Sequence, residues 1–213
     1  MLDGRELQFH PPFQKDASLL LSEFIPEEWE HAPLEVEIGP GKGEFLARRA
    51  PTVPQNFLLG IDKRQDRVDL TQNKISGRAP ITQSGPMILS ANSRVIREDA
   101  RRFSLERLPP FFILHIYHPD PWPKAKHHKN RFFRSPMAKE WTKNLISGGE
   151  LRVATDHPQY FEEIVDILSS WSELGSIQVI YSKYQFCSEP CTHFEKLFLN
   201  KGQAVYKLLF RRN

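Results

Sequence analysis

Between His118 and Lys124 the chain carries prolines at 119, 121 and 123. Proline fixes φ and has no amide hydrogen, so this stretch can be neither helix nor interior strand. The apolar run before it, Phe111 to Tyr117, reads as a buried strand, and a basic run, Lys126 to Arg131, comes after it. The chain must therefore leave its core on a stiff, extended loop that sets Asp120 and Trp122 at a strand end. Cations follow directly. A rigid carboxylate and an indole beside a phosphate-binding surface describe a site for a nucleic-acid base.

The rest of the chain alternates strands and helices. Leu34 to Ile38 is a strand running into Gly39-Pro-Gly-Lys-Gly43, and a helix starts at Glu44 and is stopped by Pro51 and Pro54. Phe57 to Ile61 is a second strand closed by Asp62, and Arg64 to Ile75 is helical. Ser76 to Ala91 is irregular; Arg94 to Arg97 is a third strand, ending at Glu98-Asp99. Pro136 to Ile146 is expected as a helix ended by Ser147-Gly148-Gly149, since proline suits a first turn and glycine a stop. Leu151 to Ala154 is a fifth strand, and apolar residues at 161, 164, 165, 168 and 171 space a helix over Tyr160 to Trp171. Ile177 to Tyr181 and Ala204 to Phe210 complete the strands. This order implies a mostly parallel sheet covered on both faces, with ligands beyond the carboxyl ends of its strands. Residues 1–33, with a short helical stretch at Asp16 to Phe24, form an N-terminal arm ahead of a domain over 34–213.

With 213 residues and a formal charge of only +3, the molecule is no polycation, so any nucleic-acid surface depends on where the cations sit. Cys187 and Cys191 are too few for a disulfide scaffold and read as free thiols of a reducing cytoplasm. With His193 they could be part of a zinc site, but no fourth ligand lies nearby, so no metal is expected. Neither a signal peptide nor a membrane-spanning run is visible.

Gly39, Gly41 and Gly43 let the backbone turn tightly against a ligand. A dinucleotide fingerprint would need glycine where Glu44 stands, which puts a carboxylate where a pyrophosphate should rest. Acids at strand ends point elsewhere. Glu37 lies at the exit of the first strand, Asp62 can accept ribose hydroxyls, and Asp99 can accept an adenine amino group. That set suits S-adenosylmethionine, although any one of these acids could be an ordinary surface residue near a helix start.

The stretch Glu37-Ile-Gly-Pro-Gly-Lys-Gly43 resembles class I S-adenosylmethionine-dependent methyltransferases. With Pro119-Asp-Pro-Trp-Pro-Lys124, its basic tail, Ala154-Thr-Asp156 and Thr192-His-Phe-Glu195, the chain resembles the bacterial tRNA (guanine-N7)-methyltransferase family over about residues 34–210. The resemblance implies a Rossmann-like α/β fold, a seven-stranded mostly parallel sheet with helices on both faces. It implies S-adenosyl-L-methionine as cofactor, contacted by Glu37, Gly39, Gly41, Gly43, Asp62, Asp99 and Asp120. It implies tRNA as partner, methylated at a variable-loop guanine, with Asp120 catalytic. Substrate contacts are expected from Lys124, Asp156, Thr192, His193, Phe194 and Glu195, and from the basic residues Lys126, His128 and Arg131. A cytoplasmic enzyme, monomeric or homodimeric, is expected. His118 departs from the phenylalanine common at its position, and Asp62 from the more usual glutamate.

Guanine N7 has a lone pair and no proton, so its methylation needs alignment and negative potential rather than a general base. Asp120 is therefore expected to orient guanine through its N1 and N2 donors and to stabilise the developing cation. Trp122 either stacks on a flipped base or packs against the prolines. Glu195 either binds the guanine edge or positions Thr192, the bland alternative for the pair being a helix cap. Lys124, Lys126, Lys129, Arg131 and Arg134, with no acid among them, are expected to grip phosphates, and Arg101, Arg102, Arg211 and Arg212 to extend that surface. The other readings are methyl transfer to a small molecule or protein, an RNA-binding protein without catalysis, and a dinucleotide oxidoreductase. The basic loop, the intact acids and Glu44 argue against them in turn.

Overall fold

In the computed structural model, which describes residues 24–77, 91–182 and 192–213, strand β1 (Leu34–Ile38) lies at the middle of the molecule. It hydrogen-bonds in parallel to β2 (Phe57–Asp62) on one side and β4 (Phe111–Tyr117) on the other. The sheet has the order β3-β2-β1-β4-β5-β7-β6, with β3 at Ser93–Arg97, β5 at Leu145–Thr155, β6 at Gly175–Ser182 and β7 at Tyr206–Arg212. Among the described strands, only β7 runs against its neighbours. The expected seven-stranded, mostly parallel, Rossmann-like sheet is the one observed. The helical stretch expected at Asp16 to Phe24, apart from Phe24 itself, nearly all of the irregular one at Ser76 to Ala91, and both cysteines lie outside the described residues.

Helices cover both faces, which is why the strands are buried on both. Leu34 and Val36 of β1 point to the larger core, with Leu59, Ile61, Leu114, Ile116, Leu151 and Val153 of neighbouring strands. Helices α3 (Pro136–Lys143) and α4 (Pro158–Ser169) close that side with Trp141, Tyr160, Ile164 and Leu168. Phe24 and Ile25, from the segment expected as an arm, are buried in the same core. On the other face, α1 (Glu44–Arg49) and α2 (Gln65–Ile75) bring Leu46, Ala47 and Ile75 onto Leu58 and Val95. A third cluster joins Phe45, Tyr117, Ala154 and Val205 to α5 (His193–Asn200).

Two boundaries differ from the sequence reading. Helix α3 stops at Lys143, where the Asn144 amide bonds back to Glu140 and Trp141. Ser147-Gly148-Gly149 is no helix stop but part of β5. Leu145 pairs with Phe111 and Glu150 with Ile113, so Ile146 to Gly149 bulge opposite Phe112 alone. Gly148 takes φ 76°, and a Cβ on Gly149 would lie 2.9 Å from the carbonyl oxygens of Ile146 and Phe112. Glycine is the residue that fits such a bulge.

Candidate active site

The strand order reverses between β1 and β4, and the chain leaves their carboxyl ends in opposite directions. A crevice forms at such a point. Here it is a cleft of about 310 Å³ whose lining includes Gly39, Gly41, Asp62, Asp99, Asp120 and Trp122. Asp62 and Asp99 are held alike. Each accepts the amide two residues on, Arg64 N at 2.9 Å and Arg101 N at 3.0 Å. Such a turn holds a carboxylate at the strand end. The repeated Asp-x-Arg was visible in the sequence, yet Arg64 and Arg67, which also line the cleft, were not expected there.

Gly39, Gly41 and Gly43 all take positive φ, as the loop from β1 into α1 requires. At Gly43 a Cβ would also lie 2.8 Å from Thr71 Cγ2, so α2 closes down on the glycine loop. Glu37 ends the buried side of β1, and its side chain lines a smaller recess of about 60 Å³ that borders the cleft at Gly39 and Gly41. Glu37 is 3% exposed, and its Oε2 has no hydrogen-bond partner among the described residues. Burial, with a further push from the Asp62 charge, raises its carboxyl well above the ordinary range.

Beyond β4 the prolines carry the chain across the cleft mouth. His118 and Trp122 hold φ of 49° and 43°, a region non-glycine residues enter only under constraint from their surroundings. His118 N bonds to Ala154 O of β5 at 2.7 Å, and its Nδ1 lies 3.5 Å from Asp156 Oδ1. The imidazole is buried against Phe194 and Phe198 of α5 and borders both recess and cleft. Its closeness is the main reason the Asp156 carboxyl sits below its ordinary value. Asp120 is exposed at the cleft. Trp122 is half-buried and lines the cleft, its ring 5.8 Å from that of His127.

Lys124, Lys126 and Lys129 are exposed on and beside a 3-10 turn, Ala125–Asn130, just past the loop. His128 is half-buried on the same turn, its Nε2 without a partner among the described residues. Arg131 departs from the expected phosphate grip. It is 2% exposed, pairs with Glu163 of α4 and donates to Pro121 O. Arg134 also pairs with Glu163. The acid missing from the basic run comes from another element. Arg211 and Arg212 are corrected as well. Antiparallel β7 ends beside Glu150, at the start of β5, where Arg211 Nη2 bonds to that carboxylate at 2.6 Å, away from the cleft.

Thr192 and Glu195 are placed by helix geometry. Thr192 caps α5, its hydroxyl accepting from Glu195 N at 3.0 Å. Glu195 is 2% exposed, and its carboxylate pairs with Lys207 of β7. A buried, paired carboxylate is not offered to a guanine edge, so the helix-cap reading describes the pair. His193 and Phe194 are exposed, line the small recess with Glu37, and Phe194 reaches the cleft.

Beneath Glu37 lies a polar network that the sequence reading missed. Glu35, 1% exposed, accepts from Arg49 Nε and Nη2, Asn56 Nδ2 and His115 Nε2 at 2.7–3.1 Å. Burial lowers His115 to about 4, so its neutral ring donates to Glu35 and accepts from the Tyr117 hydroxyl at 2.9 Å. Burial likewise pushes the Tyr117 phenol far up. Among the described residues there is no metal-binding cluster and no helix long and apolar enough to cross a membrane.

A family model described as "Putative methyltransferase" matches residues 31–208. The tRNA (guanine-N(7)-)-methyltransferase of Nitrosospira multiformis is 33% identical over 186 residues, spanning 85% of this chain and 75% of that protein. Its counterpart from Thiobacillus denitrificans is 32% identical over 183 residues, spanning 85% and 76%. A 16S rRNA (adenine(1408)-N(1))-methyltransferase structure from Catenulisporales acidiphilia superposes with a TM-score of 0.60 at 11% identity, covering 94% of this chain and 92% of that one. At that identity the superposition speaks for the fold alone.

Proposed function

The chain belongs to the family of the tRNA (guanine-N(7)-)-methyltransferases, and on that premise we propose that it transfers the methyl group of S-adenosylmethionine to N7 of a variable-loop guanine in tRNA. One observation carries the reading. Asp120 enters the same cleft as the strand-end acids Asp62 and Asp99, and exposed lysines follow it within a few residues. Donor and acceptor therefore have one meeting place, with a phosphate-binding rim beside it.

The residues present fit the cofactor. Glycine backbone at Gly39 and Gly41 leaves room for close approach. The carboxylates of Asp62 and Asp99 suit hydroxyl and amino donors, and the Glu37 carboxyl, whose Oε2 has no partner among the described residues, suits a cationic group. S-adenosylmethionine, when bound, supplies an electrophilic methyl on a sulfonium. The chain's own task is placement. Asp120 orients the guanine by accepting from its N1 and N2 donors, and its charge offsets the positive charge that develops on the purine. No residue needs to remove a proton. Trp122, half-buried on the cleft wall, offers a ring face for the extruded base. Lys124, Lys126 and Lys129 hold the backbone on either side. A tRNA substrate supports a cytoplasmic enzyme.

The test is direct. Unmodified tRNA incubated with the protein and S-adenosylmethionine is cleaved by borohydride and aniline at 7-methylguanosine. A new cut in the variable loop is expected, and its absence there overturns the reading. Asp120→Asn should lower turnover at saturating substrates by about 10²-fold, the scale of losing one preorganised electrostatic contact. Full turnover in that variant would remove Asp120 from the chemistry.

A further inference from the structure

We infer that Arg131 is a positioning residue that latches the proline loop, rather than an RNA contact. The inference rests on the proposed function, because it concerns the loop that carries Asp120. Arg131 follows the basic turn and by sequence belongs to the cations that grip phosphate. Its side chain is only 2% exposed. Nε donates to Pro121 O at 2.7 Å, and Nη1 pairs with Glu163 of α4. The guanidinium carbon sits 4.8 Å over the Tyr160 ring, also on α4. Nη2 has no partner among the described residues, but it is buried and not presented to a ligand.

The acceptor's place is what matters. Pro121 O belongs to the peptide joining Pro121 to Trp122, and Trp122 is the residue held at φ 43°. A strained residue keeps its conformation only where its surroundings over-determine it. Proline on both sides removes amides that could anchor the loop from within. Arg131 supplies the anchor from outside and transmits the rigidity of α4 to the peptide between Asp120 and the indole. Glu163 holds the guanidinium in turn. Burial works against its charge, yet hydrogen bonds from Arg134 and Arg131 keep its carboxyl below the ordinary value. Arg134, the more exposed member, contacts Glu163 Oε1 at 2.6 Å and Oε2 at 3.1 Å and fixes the carboxylate from the solvent side. Lysine could replace the charge of Arg131 but not its two-directional fork.

Arg131→Lys and Glu163→Gln test the latch. Each should lower turnover at saturating tRNA and cofactor by roughly tenfold to a hundredfold, the cost of misplacing a reacting group by about an ångström. KM for tRNA should stay within about twofold, and the slope of log K against log salt should stay at the wild-type value, because no phosphate contact is lost. Acrylamide quenching of Trp122, isolated by subtracting the matching Trp122→Phe protein, should increase. A slope flattened by about one unit in Arg131→Gln, which removes the charge that lysine keeps, with turnover kept would make Arg131 a phosphate contact and overturn the proposal. So would unchanged turnover and quenching with only a lowered Tm. If Arg131→Lys does not fold, Glu163→Gln, which keeps the side-chain shape, carries the same readouts. If wild-type protein fails to methylate tRNA, the functional reading falls by itself, and Trp122 quenching decides the latch alone.

Discussion

Glu37 shows how much a single residue depends on what surrounds it. Leu-Glu-Val-Glu-Ile looks like a strand with one wet face, yet both glutamates are buried. Glu35 is satisfied by four donors, and Glu37 is left with an oxygen unpaired. An acid whose folded pKa is raised binds more protons folded than unfolded, so its contribution to stability falls as pH climbs above its ordinary value of 4.5. Glu37→Gln should therefore raise the Tm of the cofactor-free protein at pH 8 more than at pH 5. It should also weaken S-adenosylmethionine binding by about tenfold or more, the loss of one charged contact. Calorimetry at the two pH values reads both effects, and a uniform loss of Tm would show that the carboxyl is satisfied after all. His115 works with the opposite sign. Its folded value is lowered to about 4 from 6.5, so its contribution is complete above pH 6.5 and is lost as pH falls towards 4. Denaturation midpoints across that window should drop for wild type and drop less for His115→Gln, which can still donate to Glu35.

At the scale of elements, most strands and helices were legible, because apolar periodicity and glycine or proline boundaries act locally. Two features were not. The glycines after α3 read as a helix stop, whereas pairing with β4 absorbs them into a bulge of β5. A bulge is a relation between two strands, and its local sequence resembles any turn. Helix α5 was hidden behind the Thr192 to Glu195 motif, which as a sequence admits both substrate contact and helix cap. The glycine loop was legible, and its reason is spatial as well as conformational. Gly43→Ala combines a left-handed φ of 72° with a Cβ 2.8 Å from Thr71 Cγ2. Left-handed strain alone costs about 1–3 kcal/mol. Urea unfolding should show a loss of at least that order, and a near-neutral result would mean that α2 can shift away from the loop.

For the whole molecule, the parallel order β3-β2-β1-β4-β5 brings Asp62 and Asp99 from two strand ends and Asp120 of the proline loop to one cleft. The cations divide by tertiary context. Lys126 and Lys129 are exposed on the turn after the proline loop, whereas Arg131, Arg134 and Arg211 pair with Glu163 and Glu150. Lys126→Ala and Lys129→Ala should each flatten the log–log salt dependence of tRNA binding by about one unit. Filter binding between low and moderate salt reads this, and an unchanged slope moves the phosphate path away from the turn. Chain order alone was enough to establish the alternating strands, the glycine loop, the stiff acid-bearing loop and the family resemblance, because each is a pattern among near neighbours. The fate of the charges was decided only in three dimensions. Whether a carboxylate meets a ligand, a buried arginine or nothing at all depends on partners many residues away, as with Glu163 for Arg131, Lys207 for Glu195 and His115 for Glu35. No local pattern can contain a partner that folding brings from another strand or helix.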